Sequence, residues 1–374
     1  MNGSAHGAML RLLQDDLAGE HAAIIQYLQH VWRMGDAGGD IPCEVQEIAR
    51  DEMRHFRWLA ELVVDLGADP TIERDVIYIN GSPPADLMLL DVDAEDRAIA
   101  QYVAHTREID DRRVVRVIER ILVDERAHRE MFRGFVAALG GDPDAPSPRS
   151  GVGPFSGQRA AAASAQEAAE TAPEATGPFS AERPPSNEVI YVKPYQAPTD
   201  LALPPGHELL VAALNSDIGR EYTTVLQYLF QSFVNKSNRL GKELQLDLAQ
   251  WHMKHWGWLA ERVAELGGEV TTHHEDIDRT RDAAQVIRSD IVRQQDLADH
   301  YAEEMQALDD EDARTKIARI HAHDLYQIGQ LQELQDALEA GELDGAAREP
   351  APPPAPPPAP RLTVGDLFGQ RQDA

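Results

Sequence analysis

Hydrophobic positions recur along the chain at alternating steps of three and four residues. One such series contains Val45, Ile48, Leu59, Leu62 and Leu66, and comparable series begin near residues 10, 88 and 114. This spacing places apolar side chains on one face of an α-helix, whereas a strand would need a repeat of two. The pattern predicts four long amphipathic helices in the first 141 residues. Joined by short connections, such helices form a four-helix bundle.

The same pattern occurs a second time. LAGEHAAIIQYLQH in the first block is matched by IGREYTTVLQYLFQ, and RDEMRHFRWLAELVVDLGAD is matched by QWHMKHWGWLAERVAELGGE. A repeat of this length indicates duplicated domains rather than a solenoid of short units. Stretches rich in Pro and Ala separate the blocks and read as linkers. We therefore predict an all-α chain of two tandem four-helix bundles, with a first domain (1–141), a linker (142–205), a second domain (206–341), a Pro-rich linker (342–360) and a terminal peptide (361–374).

A carboxylate interrupts the apolar face of each predicted helix in the first domain, and two of the four are followed by histidine three residues later. These six residues are Glu20, Glu52, His55, Glu95, Glu125 and His128. A single Glu-x-x-His on a helix is usually a solvated or capping pair. Four carboxylates buried together would repel one another, and two divalent cations would neutralise them. Two such pairs inside strict apolar stripes therefore predict a metal centre.

This arrangement resembles the ferritin-like di-iron bundles, in which two helices give one glutamate each and two give Glu-x-x-His. The first block resembles bacterioferritin in particular, over most of its length. The resemblance implies that the six residues bind two irons, with the glutamates as terminal or bridging ligands, although manganese accepts the same ligands. It also implies oxidation of Fe(II) by O2 or H2O2, which would feed iron storage.

The second domain keeps the helical stripes but changes the side chains on them. The matching positions hold Glu221, His252, His255, Gln294, Asp324 and Gln327. The loss of two carboxylates and one histidine argues against a two-metal site. Two interpretations stay open: a mononuclear metal site formed by Glu221, His252, His255 and Asp324, or a purely structural domain. His321 and His323 fall off the stripe and are expected at the surface.

Two methionines occupy matching places, Met53 after Glu52 and Met253 in the second domain. In bacterioferritin a methionine at this position ligates haem across a two-fold interface. The resemblance thus suggests a haem held between the two domains by Met53 and Met253. The simpler interpretation is that each methionine packs against a partner helix, and haem is not expected.

The C-terminal segment LTVGDLFG follows a Pro-rich spacer and resembles the targeting peptides that load cargo into encapsulin shells. Leu362, Val364 and Leu367 offer apolar contacts, and Gly365 permits close approach to a groove. An extended polyproline spacer would hold the peptide away from the bundles. The resemblance implies an encapsulin shell protein as partner and a location inside a cytoplasmic nanocompartment. The alternative is an apolar tail without a partner.

The chain is strongly acidic, with 64 Asp and Glu against 35 Lys and Arg in 374 residues, a formal charge of −29. This balance argues against binding to nucleic acid or to anionic membranes, and it suits a protein that attracts cations. No apolar run is long enough to span a membrane, and no secretory signal is visible, so a cytoplasmic protein is expected. The two domains could pair within one chain as a pseudo-dimer or between chains in a homo-oligomer.

We therefore expect an encapsulin cargo protein that oxidises Fe(II). One alternative is a di-iron protein that reduces peroxide as rubrerythrin does. That alternative is weaker because Cys43 is the single cysteine of the chain, and no Cys-x-x-Cys pair can supply electrons. The other alternative is a scaffold that binds iron without catalysis.

Overall fold

The computed structural model describes residues 3–79, 83–148, 206–234 and 239–341, and within these ranges the chain is all-α, with no strand. The Pro-rich linker, the terminal peptide and most of the central linker lie outside the described residues. The long helices are α1 (Gly3–Met34), α2 (Ile41–Asp65), α3 (Pro84–Glu108), α4 (Arg112–Ala138), α5 (Glu208–Val234), α6 (Arg239–Glu265), α7 (Ala283–Ala307) and α8 (Glu311–Glu339). They form a first bundle (α1–α4) and a second bundle (α5–α8).

Helix ends follow from local side chains. Pro42 occupies the first turn of α2, where its missing N–H costs little. Asp111 caps α4, because its side chain accepts hydrogen bonds from the backbone N–H groups of Arg113 and Val114. Gly67 and Gly140 follow α2 and α4 with φ of 89° and 79°, a conformation that costs glycine nothing.

The connection between α2 and α3 differs from the prediction of short connections, because it spans residues 66–83. It runs along α1 and is held there by three contacts. The Gln14 side chain donates to the carbonyl of Asp69. Asp75 N–H donates to the carbonyl of Ala18 at 2.9 Å, and His30 Nε2 lies 3.0 Å from the carbonyl of Tyr78. The two helices run in the same direction, so the chain must travel the length of the bundle between them. One such crossover is typical of ferritin-like bundles.

The two bundles pack on each other within the chain, and one hydrophobic cluster contains buried residues of both. The connection between α2 and α3 and the matching connection between α6 and α7 (residues 266–282) take part in this interface. Gln29 of α1 donates to the carbonyl of Val270 at 3.1 Å, and the Arg74 guanidinium donates to Thr272 Oγ1 at 3.0 Å. In this structure the bundles are therefore paired as an intrachain pseudo-dimer. None of the described helices has the length and apolar character needed to cross a membrane.

Candidate metal centre

The six residues singled out in the first domain converge inside the first bundle. All are buried, with at most 4% of any of them exposed. They form two overlapping groups in which the ligand atoms lie within 4.8 Å of one another: Glu20, Glu52, His55 and Glu125 in one, and Glu52, Glu95, Glu125 and His128 in the other. Glu52 and Glu125 belong to both groups. The helices therefore bring together every residue that the sequence predicts for this centre.

The distances inside the centre are those of side chains that point to shared central positions. His55 Nδ1 lies 2.9 Å from Glu52 Oε2 and 3.0 Å from Glu125 Oε1. His128 Nδ1 lies 2.9 Å from Glu52 Oε1, yet both atoms are buried without a hydrogen bond of good geometry to any described residue. Glu95 Oε2 and Glu125 Oε1 are also left without one. Orphaned oxygens and nitrogens at such short separations fit ligands of cations.

Two tyrosines hold Glu20 and Glu95, the glutamates that belong to only one group each. Tyr27 donates from its hydroxyl to Glu95 Oε1 at 2.6 Å, and the Tyr102 hydroxyl donates to Glu20 Oε1. Each hydroxyl occupies one carboxylate oxygen and leaves the other facing the centre. Sequence reasoning missed these roles, because both tyrosines lie on apolar helix faces and read there as core residues.

Two aspartates contact the outer nitrogens of the imidazoles. His55 Nε2 lies 3.3 Å from Asp124 Oδ2, and His128 Nε2 lies 3.4 Å from Asp51 Oδ2. Such partners fix the tautomer in which Nδ1 is free to bind a cation. These contacts were not predicted from the sequence either. A signal was present, because each aspartate immediately precedes the glutamate in the repeated motif Asp-Glu-x-x-His.

Without cations, protons take up the excess charge of the centre. Burial, and then repulsion from Glu125 and Glu52, raise the pKa of Glu20 and of Glu95 well above the usual range. Burial opposes protonation of His128, but the neighbouring Glu125 and Glu52 carboxylates outweigh it and raise the pKa of His128 to about 10. Cations that bind here would displace these protons.

A small cavity of about 50 Å³ adjoins the centre. Its lining includes the glutamates of the centre and both tyrosines, with Val76 of the crossover and Arg97 on α3. The volume exceeds the roughly 10–15 Å³ that one water needs. The cavity can therefore hold water or a diatomic molecule beside the carboxylates.

The second bundle assembles a smaller group at the matching position. Glu221, His252, His255 and Asp324 all have 0% exposure. Glu221 Oε2 lies 2.6 Å from His252 Nδ1 and 3.5 Å from His255 Nδ1. Asp324 Oδ1 lies 3.9 Å from His255 Nδ1.

His323 was expected at the surface. It is half-buried, and its Nδ1 lies 3.1 Å from His255 Nε2, a contact that was not predicted. His323 precedes Asp324 as Asp124 precedes Glu125, so it stands where the first bundle has an outer partner of the histidine. His321 is half-buried as well.

Aromatic side chains fill the interface between the bundles. His21 Nε2 lies 2.5 Å from the hydroxyl of Tyr222, and Tyr222 stacks on Trp256 with ring centroids 4.6 Å apart. Burial lowers the pKa of His21 to about 3, so this imidazole is neutral. Met53 and Met253 are both half-buried, and Met53 packs against the shared hydrophobic cluster. That packing matches the simpler interpretation of Met53.

A bundle with one long crossover and two overlapping carboxylate–histidine groups defines the ferritin-like class. Comparison with known proteins agrees: residues 10–141 match the family model described as a ferritin-like domain. The chain is 31% identical over 124 residues to the bacterioferritin of Desulfovibrio desulfuricans, a match that covers 32% of this chain and 69% of the relative. The chain therefore belongs to the bacterioferritin family.

Solved structures with similarity include two bacterioferritins. The Desulfovibrio desulfuricans protein, whose di-iron site was determined in different catalytic states, has a TM-score of 0.36 and 25% identity, covering 41% of this chain and 95% of that one. A Mycobacterium tuberculosis bacterioferritin has a TM-score of 0.34 and 22% identity, covering 36% of this chain and 86% of that one.

Proposed function

We propose that the first bundle oxidises Fe(II) at a di-iron centre and that the protein works as cargo of an encapsulin shell, where the product is stored. The observation that carries the proposal is the pair of overlapping groups that share Glu52 and Glu125. Two cation positions with common carboxylates suit a pair of metal ions held close together. Carboxylate and imidazole ligands suit iron, and they also accept manganese.

When bound, a di-iron pair supplies the redox chemistry, in which two Fe(II) ions become Fe(III) and O2 or H2O2 takes up the two electrons. The residues of the chain provide the setting. Glu52 and Glu125 reach both positions, while Glu20 with His55 and Glu95 with His128 complete one position each. The adjoining cavity gives a small oxidant access to the carboxylates.

Charge favours delivery of the substrate. The chain carries a formal charge of −29, and a field of this sign raises the local concentration of Fe²⁺. Because salt screens such fields over about 10 Å at 0.1 M, iron uptake at low Fe(II) concentration should slow as ionic strength rises.

The cargo role rests on the sequence of the terminal peptide, which lies outside the described residues. Leu362, Val364, Gly365 and Leu367 supply the apolar contacts and the close approach that a groove in a shell protein would need. Co-expression with an encapsulin shell protein tests this role, with the full chain and with a chain lacking residues 361–374. We expect only the full chain to co-purify with assembled shells; equal loading of both would overturn the cargo role.

Stopped-flow absorbance after mixing metal-free protein with Fe(II) and O2 tests the oxidation. The variant Glu52→Gln keeps the size of the side chain but removes the charge shared by both positions, and Glu47→Gln is the matched control because Glu47 is exposed on the same helix. We expect rapid Fe(III) formation in the wild type and in Glu47→Gln, and a loss of about 100-fold in Glu52→Gln. Equal rates in all three would leave an iron-binding scaffold as the better explanation.

The same experiment with H2O2 in place of O2 identifies the oxidant. Faster Fe(II) oxidation with O2 supports the ferroxidase proposal. Oxidation by H2O2 alone would exclude O2 as the oxidant.

A further inference from the structure

The second bundle holds a compact group of ligand-type side chains where the first bundle has its two-metal centre. We propose that it binds a single divalent transition-metal ion through Glu221, His252, His255 and Asp324. The site is separate from the proposed oxidation centre and does not depend on it.

The first argument is the convergence of the side chains. The ligand atoms of Glu221, His252 and His255 lie within 4.8 Å of one another, and both imidazoles turn Nδ1 toward the same carboxylate oxygen, Oε2 of Glu221. The histidines of the first bundle also present Nδ1 to their carboxylates. One cation at the meeting point of these atoms would be bound by two nitrogens and an oxygen.

The second argument is Asp324. It is fully buried, and neither of its carboxylate oxygens finds a hydrogen-bond partner among the described residues. A buried carboxylate without partners is costly, whether it is charged or protonated. His255 Nδ1, 3.9 Å from Asp324 Oδ1, is also orphaned in the described part of the chain. A cation between them would satisfy both groups, and Asp324 would be its fourth ligand.

The third argument is the outer contacts, which repeat those of the first bundle. Tyr301 donates to Glu221 Oε1 at 2.5 Å, as Tyr102 donates to Glu20, and this leaves Glu221 Oε2 for a metal. His323 Nδ1 lies 3.1 Å from His255 Nε2. At this distance the unprotonated Nδ1 of His323 can accept a hydrogen bond from His255 Nε2. A histidine held in this way at Nε2 keeps Nδ1 available for a metal.

Two amides limit the site to one ion. Gln294 and Gln327 replace the glutamate and the histidine that would complete a second position. Gln294 Nε2 lies 2.8 Å from His252 Nε2 and 2.5 Å from Gln327 Oε1. These neutral side chains are engaged with each other and with the outer nitrogen of His252, and they offer no charge to a second cation.

The amide pair also suits the metal-bound form of His252. With Nδ1 on a metal, the neutral ring carries its proton on Nε2 and needs an acceptor there. If both side-chain amides are turned by 180°, Gln294 Oε1 accepts a hydrogen bond from His252 Nε2–H. Gln327 Nε2–H then donates to the same oxygen. Gln294 Oε1 and Gln327 Nε2 are the amide atoms that otherwise have no partner in the described ranges.

Titration of the full-length chain with Co²⁺ and with Zn²⁺ tests the proposal. The background is Glu52→Gln with Glu125→Gln, which removes both shared carboxylates of the first bundle. The result is then independent of whether iron is oxidised there. Visible absorption of Co²⁺ reports nitrogen and oxygen coordination, elemental analysis gives Zn²⁺ per chain, and circular dichroism checks that each variant is folded.

We expect one ion per chain in this background, with Co²⁺ absorption bands that disappear in Asp324→Asn and in His255→Gln. Affinity in these variants should fall by about tenfold or more. His273→Gln is the control, because His273 is an exposed histidine of the same bundle, and it should bind as the background does. Equal binding in all variants, or no binding in the background, would overturn the proposal. Loss of binding only in His300→Gln would place the ion at the Asp217, His300 and Glu304 group instead.

Discussion

Asp290 on α7 is a buried carboxylate with an incomplete set of partners. Its exposure is 0%, its Oδ1 accepts a hydrogen bond from Gln231 Nε2 at 3.1 Å, and its Oδ2 has no partner within the described ranges. Burial raises the pKa of Asp290 to about 7. At the matching place in the first bundle, both oxygens of Asp91 lie 2.8 Å from His30 Nδ1. Gln231 stands where His30 stands, so Asp290 lacks the imidazole that Asp91 has; the charge of Arg293 lowers the pKa of Asp290, but burial outweighs it.

The stability of the second bundle should therefore depend on pH. The pKa of Asp290 is about 7 in the folded protein against an ordinary value of 3.8. Between these values the folded state keeps a proton that the unfolded state releases, so the free energy of unfolding falls as pH rises from about 4 to about 7. A pKa difference of about 3 corresponds to about 4 kcal/mol at most. Because asparagine does not titrate, the stability of Asp290→Asn relative to the wild type should rise by roughly 2–3 kcal/mol between pH 5 and pH 8.

Urea unfolding followed by circular dichroism at pH 5 and pH 8, with EDTA present, measures this change in relative stability. Asp296→Asn is the control, because Asp296 is exposed on the same helix, and it should follow the wild type. Gln231→His tests the cause, since it restores the pair found in the first bundle and should reduce the pH dependence. If Asp290→Asn and the wild type lose the same stability between the two pH values, Asp290 does not hold a proton in the folded protein and the reasoning fails.

Three further results are expected. Asp124→Asn should weaken iron binding about 10-fold or more, because it releases the outer nitrogen of His55. The control Asp96→Asn, at an exposed position, should leave the affinity unchanged. Isothermal titration with Fe(II) under argon measures both affinities, and equal values would contradict the role of Asp124. Chelation should lower the melting temperature measured by calorimetry, and added Zn²⁺ should raise it, since ions that bind only the folded state stabilise it; no change in either direction would count against metal binding. Purified protein incubated with haemin should show no bound-haem Soret band, because aromatic rings fill the interface beside Met53; a band that Met53→Leu abolishes would reverse that expectation.

The side chains of the metal centre could be predicted because each one violates a pattern. A glutamate in an apolar stripe carries a cost that only a partner can offset, so Glu20 and Glu95 were visible without a structure. Tyr27 and Tyr102 violate nothing, since a tyrosine fits an apolar stripe. Their hydroxyl contacts depend on which helices are neighbours, and the periodicity of one helix does not contain that information.

Contacts between helices account for the other errors. Asp124 lies off the apolar face of α4, and it reaches His55 only because α2 packs beside it. The contact of His323 with His255 was not predicted for the same reason. The long crossover was missed because hydrophobic spacing gives the length of helices but not their direction. Residues 66–83 could have indicated it, since a stretch of that length with no helical pattern can cross a bundle.

The charges of the two proposed ligand sets account for a change of metal content between the duplicated domains while the fold persists. The first centre has four carboxylates and two imidazoles, a formal charge that two divalent cations cancel. The second has two carboxylates, Glu221 and Asp324, with two imidazoles and two amides, and one divalent cation cancels it. In a low-dielectric interior, a charge left over would cost several kcal/mol, so carboxylates and cations should be lost together. Glu52 and Glu95 of the first bundle correspond to His252 and Gln294, and these two replacements remove the charge of one cation. The neutral amides that accompany the change keep the space filled and hydrogen-bonded, which lets the helices pack as before.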